Sequence, residues 1–175
     1  MNYPEDSVNN HPDAEGLAEG HGWGAPDDDG TMPENVERLA GFIVGHRIVS
    51  VEENETINLG PDRGRDSYYY DDRLNARLVL TLDNGVRVGI GETSDCCART
   101  IVDKFLLHPE RVDHVITGVA STDGYTKWHI FADLGDVMEL DVDWSAGNPF
   151  YYGYGFDIEV APLDVDFTDD QKAIQ

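Results

Sequence analysis

Basic residues are scarce in this chain. Against 35 aspartates and glutamates it has 12 lysines and arginines, for a formal net charge of −23. A field of that sign repels nucleic acid and anionic lipid, so direct binding to DNA, RNA or a membrane surface is not expected. Cysteine is almost absent as well, and the two present, Cys96 and Cys97, are adjacent. Two thiols make a poor disulfide framework, and adjacency fits neither the C-x-x-C redox motif nor the paired ligands of a zinc site. No apolar run approaches the ~18 residues of a membrane span. MNYPEDSVNN, at the start, has neither the basic region nor the apolar stretch of a signal peptide, which leads us to expect a cytosolic protein. Phosphate-binding G-x-x-x-x-G-K-[ST], the nucleophile motif G-x-S-x-G and the zinc motif H-E-x-x-H do not occur. Catalysis has no motif here, and neither a metal nor a cofactor is expected from these patterns.

What is present suffices for one domain: 175 residues, 40% of them hydrophobic, can bury a real core. Charge marks its limits. No lysine or arginine precedes Arg38, while acidic residues recur from Glu5 through Asp27, Asp28 and Asp29 to Glu34, with glycine and proline between them. Such a segment buries too little apolar surface to offset its ordering entropy. Residues 1–35 therefore read as an acidic flexible arm, residues 36–162 as a single domain and residues 163–175 as an acidic tail. The arm is either a solubilising tail or a docking segment anchored by Trp23.

The domain carries the alternation of strands. GFIVGHRIVSVEE (41–53) opens it. NARLVLTL, Asp83-Asn84-Gly85 and VRVGIGE then form the clearest signal in the chain, a hairpin closed by a type I′ turn. HVITGVAST, Asp123-Gly124 and YTKWHIFAD repeat that logic, and VMELDVDW and FDIEVAP add two strands. One helix is predicted over about 94–107: Thr93 or Ser94 caps it, Asp95 favours its positive end, and Ile101, Val102, Phe105 and Leu106 form a stripe ahead of Pro109. The expected class is α+β, a mainly antiparallel sheet of about six or seven strands with one principal helix. Cys96 and Cys97 would fall in the first turn of that helix, as core residues or as a thiol activated by a histidine among His46, His108, His114 and His129.

Other candidates are weaker in pattern. Asp141 and Asp143 share a strand face, and Asp133 and Asp136 flank Gly135, but solvated strands carry such pairs routinely. Tyr68, Tyr69 and Tyr70 lie in a polar stretch, and Phe150, Tyr151, Tyr152 and Tyr154 alternate with glycine near the end of the domain. Tyrosine with glycine is the composition of adaptable binding loops, and glycine equally marks a bulge over the core.

TLDNGVRV, GETSDCCART, HVITGVAS and FYYGYGFDIEV together resemble a family of small phage and prophage proteins classed as a domain of unknown function, encountered in phages of mycobacteria and streptomycetes. The resemblance runs from about 42 to 160. It implies an α+β fold and no enzyme activity, and it makes Asp95, Cys96 and Cys97 a family hallmark. Three functional readings follow. The first is a non-enzymatic accessory protein in the host cytoplasm that binds a basic surface of a host or phage protein, with nucleic-acid mimicry as one form of that binding. The second is a small-molecule-binding or cysteine-dependent site near Cys96 and Cys97, and the third a structural role in the virion. The acidity also fits adaptation to high salt.

Overall fold

The structure, a computed structural model, describes residues 31–60, 73–94, 98–145 and 155–161. It opens on a helix, α1 (Thr31–Ile43). Met32, Asn35, Leu39 and Ile43 are buried at helical spacing along it, with Pro33 tolerated in the first turn and Glu34 at the positive end of the dipole. Gly45, at φ 88°, ends the segment, and its N–H donates to the Ile116 carbonyl. Five residues assigned to the acidic arm, 31–35, are thus helical, and 41–43 belong to the same helix rather than to an opening strand. The helix docks on the last strand, β9 (Asp157–Ala161): Asn35 Nδ2 donates to the Phe156 carbonyl and Arg38 Nε to that of Ile158.

Nine strands follow among the described residues, in two antiparallel sheets. The first is ordered β1 (Ile48–Asn58), β2 (Arg73–Leu82), β3 (Arg87–Gly91), β9. The second is ordered β4 (Thr93–Ser94), β5 (Arg99–Leu107), β8 (Gly135–Ser145), β7 (Lys127–Ala132), β6 (Gly118–Thr122). A short 3-10 turn, Pro109–Arg111, follows β5. Leu78, Leu80, Val88, Ile90 and Ile158 of the first sheet meet Val102, Trp128, Ile130, Met138 and Leu140 of the second in one continuous core, closed by Met32, Leu39 and Ile43 of α1. The fold is therefore β-rich, not the α+β class expected.

The predicted helix over 94–107 is overturned. Residues 99–107 form β5, which pairs with β8 from Arg99↔Ser145 to Leu107↔Met138. Ile101, Val102, Phe105 and Leu106 fit a helical stripe, but the β-branched run Thr100-Ile101-Val102 favours a pleated strand. A bulge at Asp103 in the register shifts the alternation by one residue and gives the pattern its helical look.

Both hairpins are present, with turns that differ from expectation. Gly85 is left-handed at φ 83° and Asn84 is not. Gly85 N–H donates to the Leu82 carbonyl and Leu82 N–H to that of Val86, the pattern of a three-residue loop with glycine at the bulge position. In the β6–β7 turn, Asp123, Gly124 and Tyr125 are all left-handed, at φ 56°, 65° and 62°. A left-handed tyrosine is costly, and its surroundings hold it. Tyr125 is 2% exposed and packs edge to face on Trp144, with centroids 5.9 Å apart. Trp144 Nε1 donates to the Gly124 carbonyl at 2.7 Å and Trp128 Nε1 to the Tyr125 carbonyl at 2.9 Å.

Trp144→Phe keeps the ring contact and orphans the Gly124 carbonyl, so we expect a loss of ~1–3 kcal/mol in urea unfolding with an unchanged m-value. Unaltered stability would mean that water replaces the indole donor.

Candidate functional site

The outer face of the second sheet concentrates the polar chemistry of the described residues. Strand pairing sets it out in rows. In one, Asp141 on β8 lies opposite Lys104 on β5 and Lys127 on β7. In the next, Glu139 lies opposite Leu106 and His129. Arg99 makes a bidentate pair with Asp143, at 2.9 and 3.0 Å, and Lys127 Nζ reaches Asp141 at 2.6 Å. Those hydrogen bonds hold the Arg99 guanidinium and the Lys127 ammonium above their ordinary pKa values. Asp141 and Asp143 do share a face, as their spacing predicts, and each is matched to a cation.

A second group sits beside these pairs. β7 pairs Ile130 with Met138 and Phe131 with Asp136, leaving Val137 as an extra residue in β8. Without this bulge Asp136 and Glu139, three residues apart, would point to opposite faces. With it, both reach His129. The ligand atoms of His129, Asp136 and Glu139 lie within 4.8 Å of one another. His129 Nδ1 is 3.1 Å from Asp136 Oδ2, and its Nε2 is 3.1 Å from Thr122 Oγ1. His108, just past β5, places Nε2 2.9 Å from Glu139 Oε1. The side chains of His129 and Asp136 are only 12% and 14% exposed. Asp133, by contrast, turns to His114 Nδ1 at 2.9 Å, so the two aspartates flanking Gly135 serve different histidines.

The remaining sequence candidates fall elsewhere. Trp23, Tyr68, Tyr69, Tyr70, Asp95, Cys96, Cys97, Phe150, Tyr151, Tyr152 and Tyr154 lie outside the described residues. β4 and β5, on either side of the two cysteines in sequence, pair antiparallel, Ser94 opposite Arg99. Phe156, which ends the aromatic stretch, is core: 4% exposed and edge to face with Trp128 at 5.4 Å. The pattern missed Asp136 and Glu139 as neighbours of His129, and His108 as the partner of Glu139. Nothing in their spacing signals a site, because a bulge and a cross-strand register bring them together.

These features define a two-sheet β domain whose outer face carries paired charges and a half-buried histidine–carboxylate cluster. Residues 41–158 match the family described as Domain of unknown function (DUF7448), and the chain belongs to that family. No curated protein and no solved structure matches it. No helix among the described residues is long and apolar enough to cross a membrane.

A carboxylate can only accept a hydrogen bond. Neutral His129 should therefore carry its proton on Nδ1, toward Asp136, and accept from the Thr122 hydroxyl at Nε2. Long-range ¹H–¹⁵N correlation of the imidazole at high pH checks this: the Nδ1–H pattern is expected, and it should revert toward the usual Nε2–H form in Asp136→Leu.

Proposed function

We propose that the protein is a non-enzymatic accessory protein of phage or prophage origin that acts in the host cytoplasm by binding a basic surface on another protein. The observation that carries this reading is the disposition of charge in the folded part. Arg38, Arg47, Arg77, Arg87, Arg99, Arg111 and Lys127 each have a carboxylate within salt-bridge distance. Most of the positive charge of the described residues is thereby paired within the molecule, and the surplus of the chain is acidic. Glu34, Glu37, Glu55, Asp103, Asp113 and Asp123 are all exposed. Negative surface density steers association with basic clefts and raises the encounter rate, in a salt-dependent way. Nucleic-acid mimicry is one form such binding can take.

The histidines bear on the cysteine-dependent alternative. His46, His108, His114 and His129 each face a carboxylate, Asp83, Glu139, Asp133 and Asp136 respectively. A carboxylate partner orients an imidazole and leaves it able to act as a base, so these pairs favour neither reading over the other.

Affinity capture with the tagged chain, eluted by a salt gradient, tests the proposal. One dominant basic protein should be retained at low salt and released at roughly 0.2–0.5 M, where the Debye length falls to a few ångströms. Empty capture by a folded sample, or retention indifferent to salt, would overturn it. The arm is tested by removing residues 1–30 only, since a cut at 35 would take Met32 and Asn35 from the packed face of α1.

A further inference from the structure

The cluster on the outer face of the second sheet has a use that charge balance does not explain. We propose that His129, Asp136 and Glu139 form a binding site for a divalent first-row transition ion, with His108 holding the Glu139 carboxylate in place. This goes beyond partner binding and does not depend on it.

Geometry is the first support. Three ligand atoms of the right kinds lie within 4.8 Å of one another. A tetrahedral ion with bonds of ~2.0–2.1 Å separates its ligand atoms by about 3.3 Å. The His129–Asp136 pair, at 3.1 Å, needs to open by a few tenths of an ångström, and Glu139 to move in by at most about 1.5 Å. Glu139 is the most exposed of the three, its side chain 37% accessible, and a glutamate covers such a distance by changing rotamer.

The surroundings are the second support. A ligating imidazole usually donates its other ring N–H to an oxygen, which fixes the ring and raises its basicity. Thr122 Oγ1, 3.1 Å from Nε2 of His129, stands where that acceptor belongs. His108 Nε2, 2.9 Å from Glu139 Oε1, does the same for the carboxylate. The β8 bulge at Val137 is the third support: it is what turns Asp136 to this face, and bulges commonly re-aim side chains at functional sites. Arg111 Nη1 donates to the Asp136 backbone carbonyl at 2.9 Å, and its Nε lies 3.6 Å from Glu110 Oε1.

The donor set selects the ion. One imidazole and two carboxylates favour Zn²⁺, Mn²⁺ or Fe²⁺ over Ca²⁺ and Mg²⁺, which prefer all-oxygen shells, and over Cu⁺, which prefers sulfur. Binding at Nδ1 releases that proton to solvent while Nε2 takes one up from solvent, so the ring stays neutral and Nε2–H now donates to Thr122. The tautomer of His129 therefore reverses when the ion binds.

The test uses the full chain, freed of metal by chelation and titrated with Zn²⁺, followed by calorimetry and by imidazole ¹H–¹⁵N correlation. We expect a saturable site at which His129 changes from the Nδ1–H to the Nε2–H pattern. Glu139→Gln, on the solvent side of the sheet, and His108→Gln should each weaken that site by roughly tenfold or more, with urea unfolding confirming that both variants fold. Mg²⁺ at the same concentration should leave the His129 signals unmoved. His129 remaining Nδ1-protonated at saturating Zn²⁺ would overturn the proposal, even with heat released elsewhere on this acidic chain, and so would equal affinity in the Glu139→Gln variant.

Discussion

Trp128 is the side chain on which both sheets close. It is fully buried, and its ring meets Phe156, at the entry to β9 of the first sheet, edge to face. Its indole N–H caps the Tyr125 carbonyl in the β6–β7 turn. A buried indole must find an acceptor or forfeit the hydrogen bond it had with water. Here the acceptor is the backbone of a turn that would otherwise be strained, with three successive left-handed residues. Trp144 supplies the second cap, to Gly124. The turn, the intersheet core and the start of β9 are therefore one packed unit, and α1 rests on it through Asn35 and the Phe156 carbonyl.

Electrostatics follows from that frame. Buried Glu159 is paired with Arg38, but with the apolar faces of both sheets turned inward most ionisable groups lie on the outer faces and edges. There cross-strand register decides which of them meet: Lys127 meets Asp141 and Arg87 meets Glu52. Exposed pairs of this kind add little to stability, but they consume the few cations. The edge strand β1 illustrates the result, with Glu52, Glu53 and Glu55 exposed along it, a charge pattern that discourages edge-to-edge pairing. A sequence with a threefold acidic excess thus sets carboxylates against most of its described cations and leaves acidic groups in surplus.

The hairpins were legible because turn chemistry and alternation agree locally: Asn84-Gly85 and Asp123-Gly124 each sit between β-branched runs. The helices were misread in both directions. Over 31–43 the acidic, proline-containing start hid the spacing of Met32, Val36, Leu39 and Ile43. Over 99–107 a one-residue bulge made a strand look helical. A bulge adds one residue to a period of two, and the sum imitates a helical step closely enough to mislead any reading by periodicity. The cluster around His129 was illegible for the same reason, since the bulge at Val137 is what unites Asp136 with Glu139.

The amino-acid sequence by itself determined the sign and excess of charge, the existence of the hairpins and the stock of residues for a single core, because each depends on composition or on neighbours within a few positions. Only the tertiary structure decided where the bulges fall, which histidine meets which carboxylate, and that residues 31–43 pack as a helix against β9. Those outcomes depend on strand register and on burial against distant segments. Their energies arise from contacts between residues as far apart as Asn35 and Phe156, which no local pattern records.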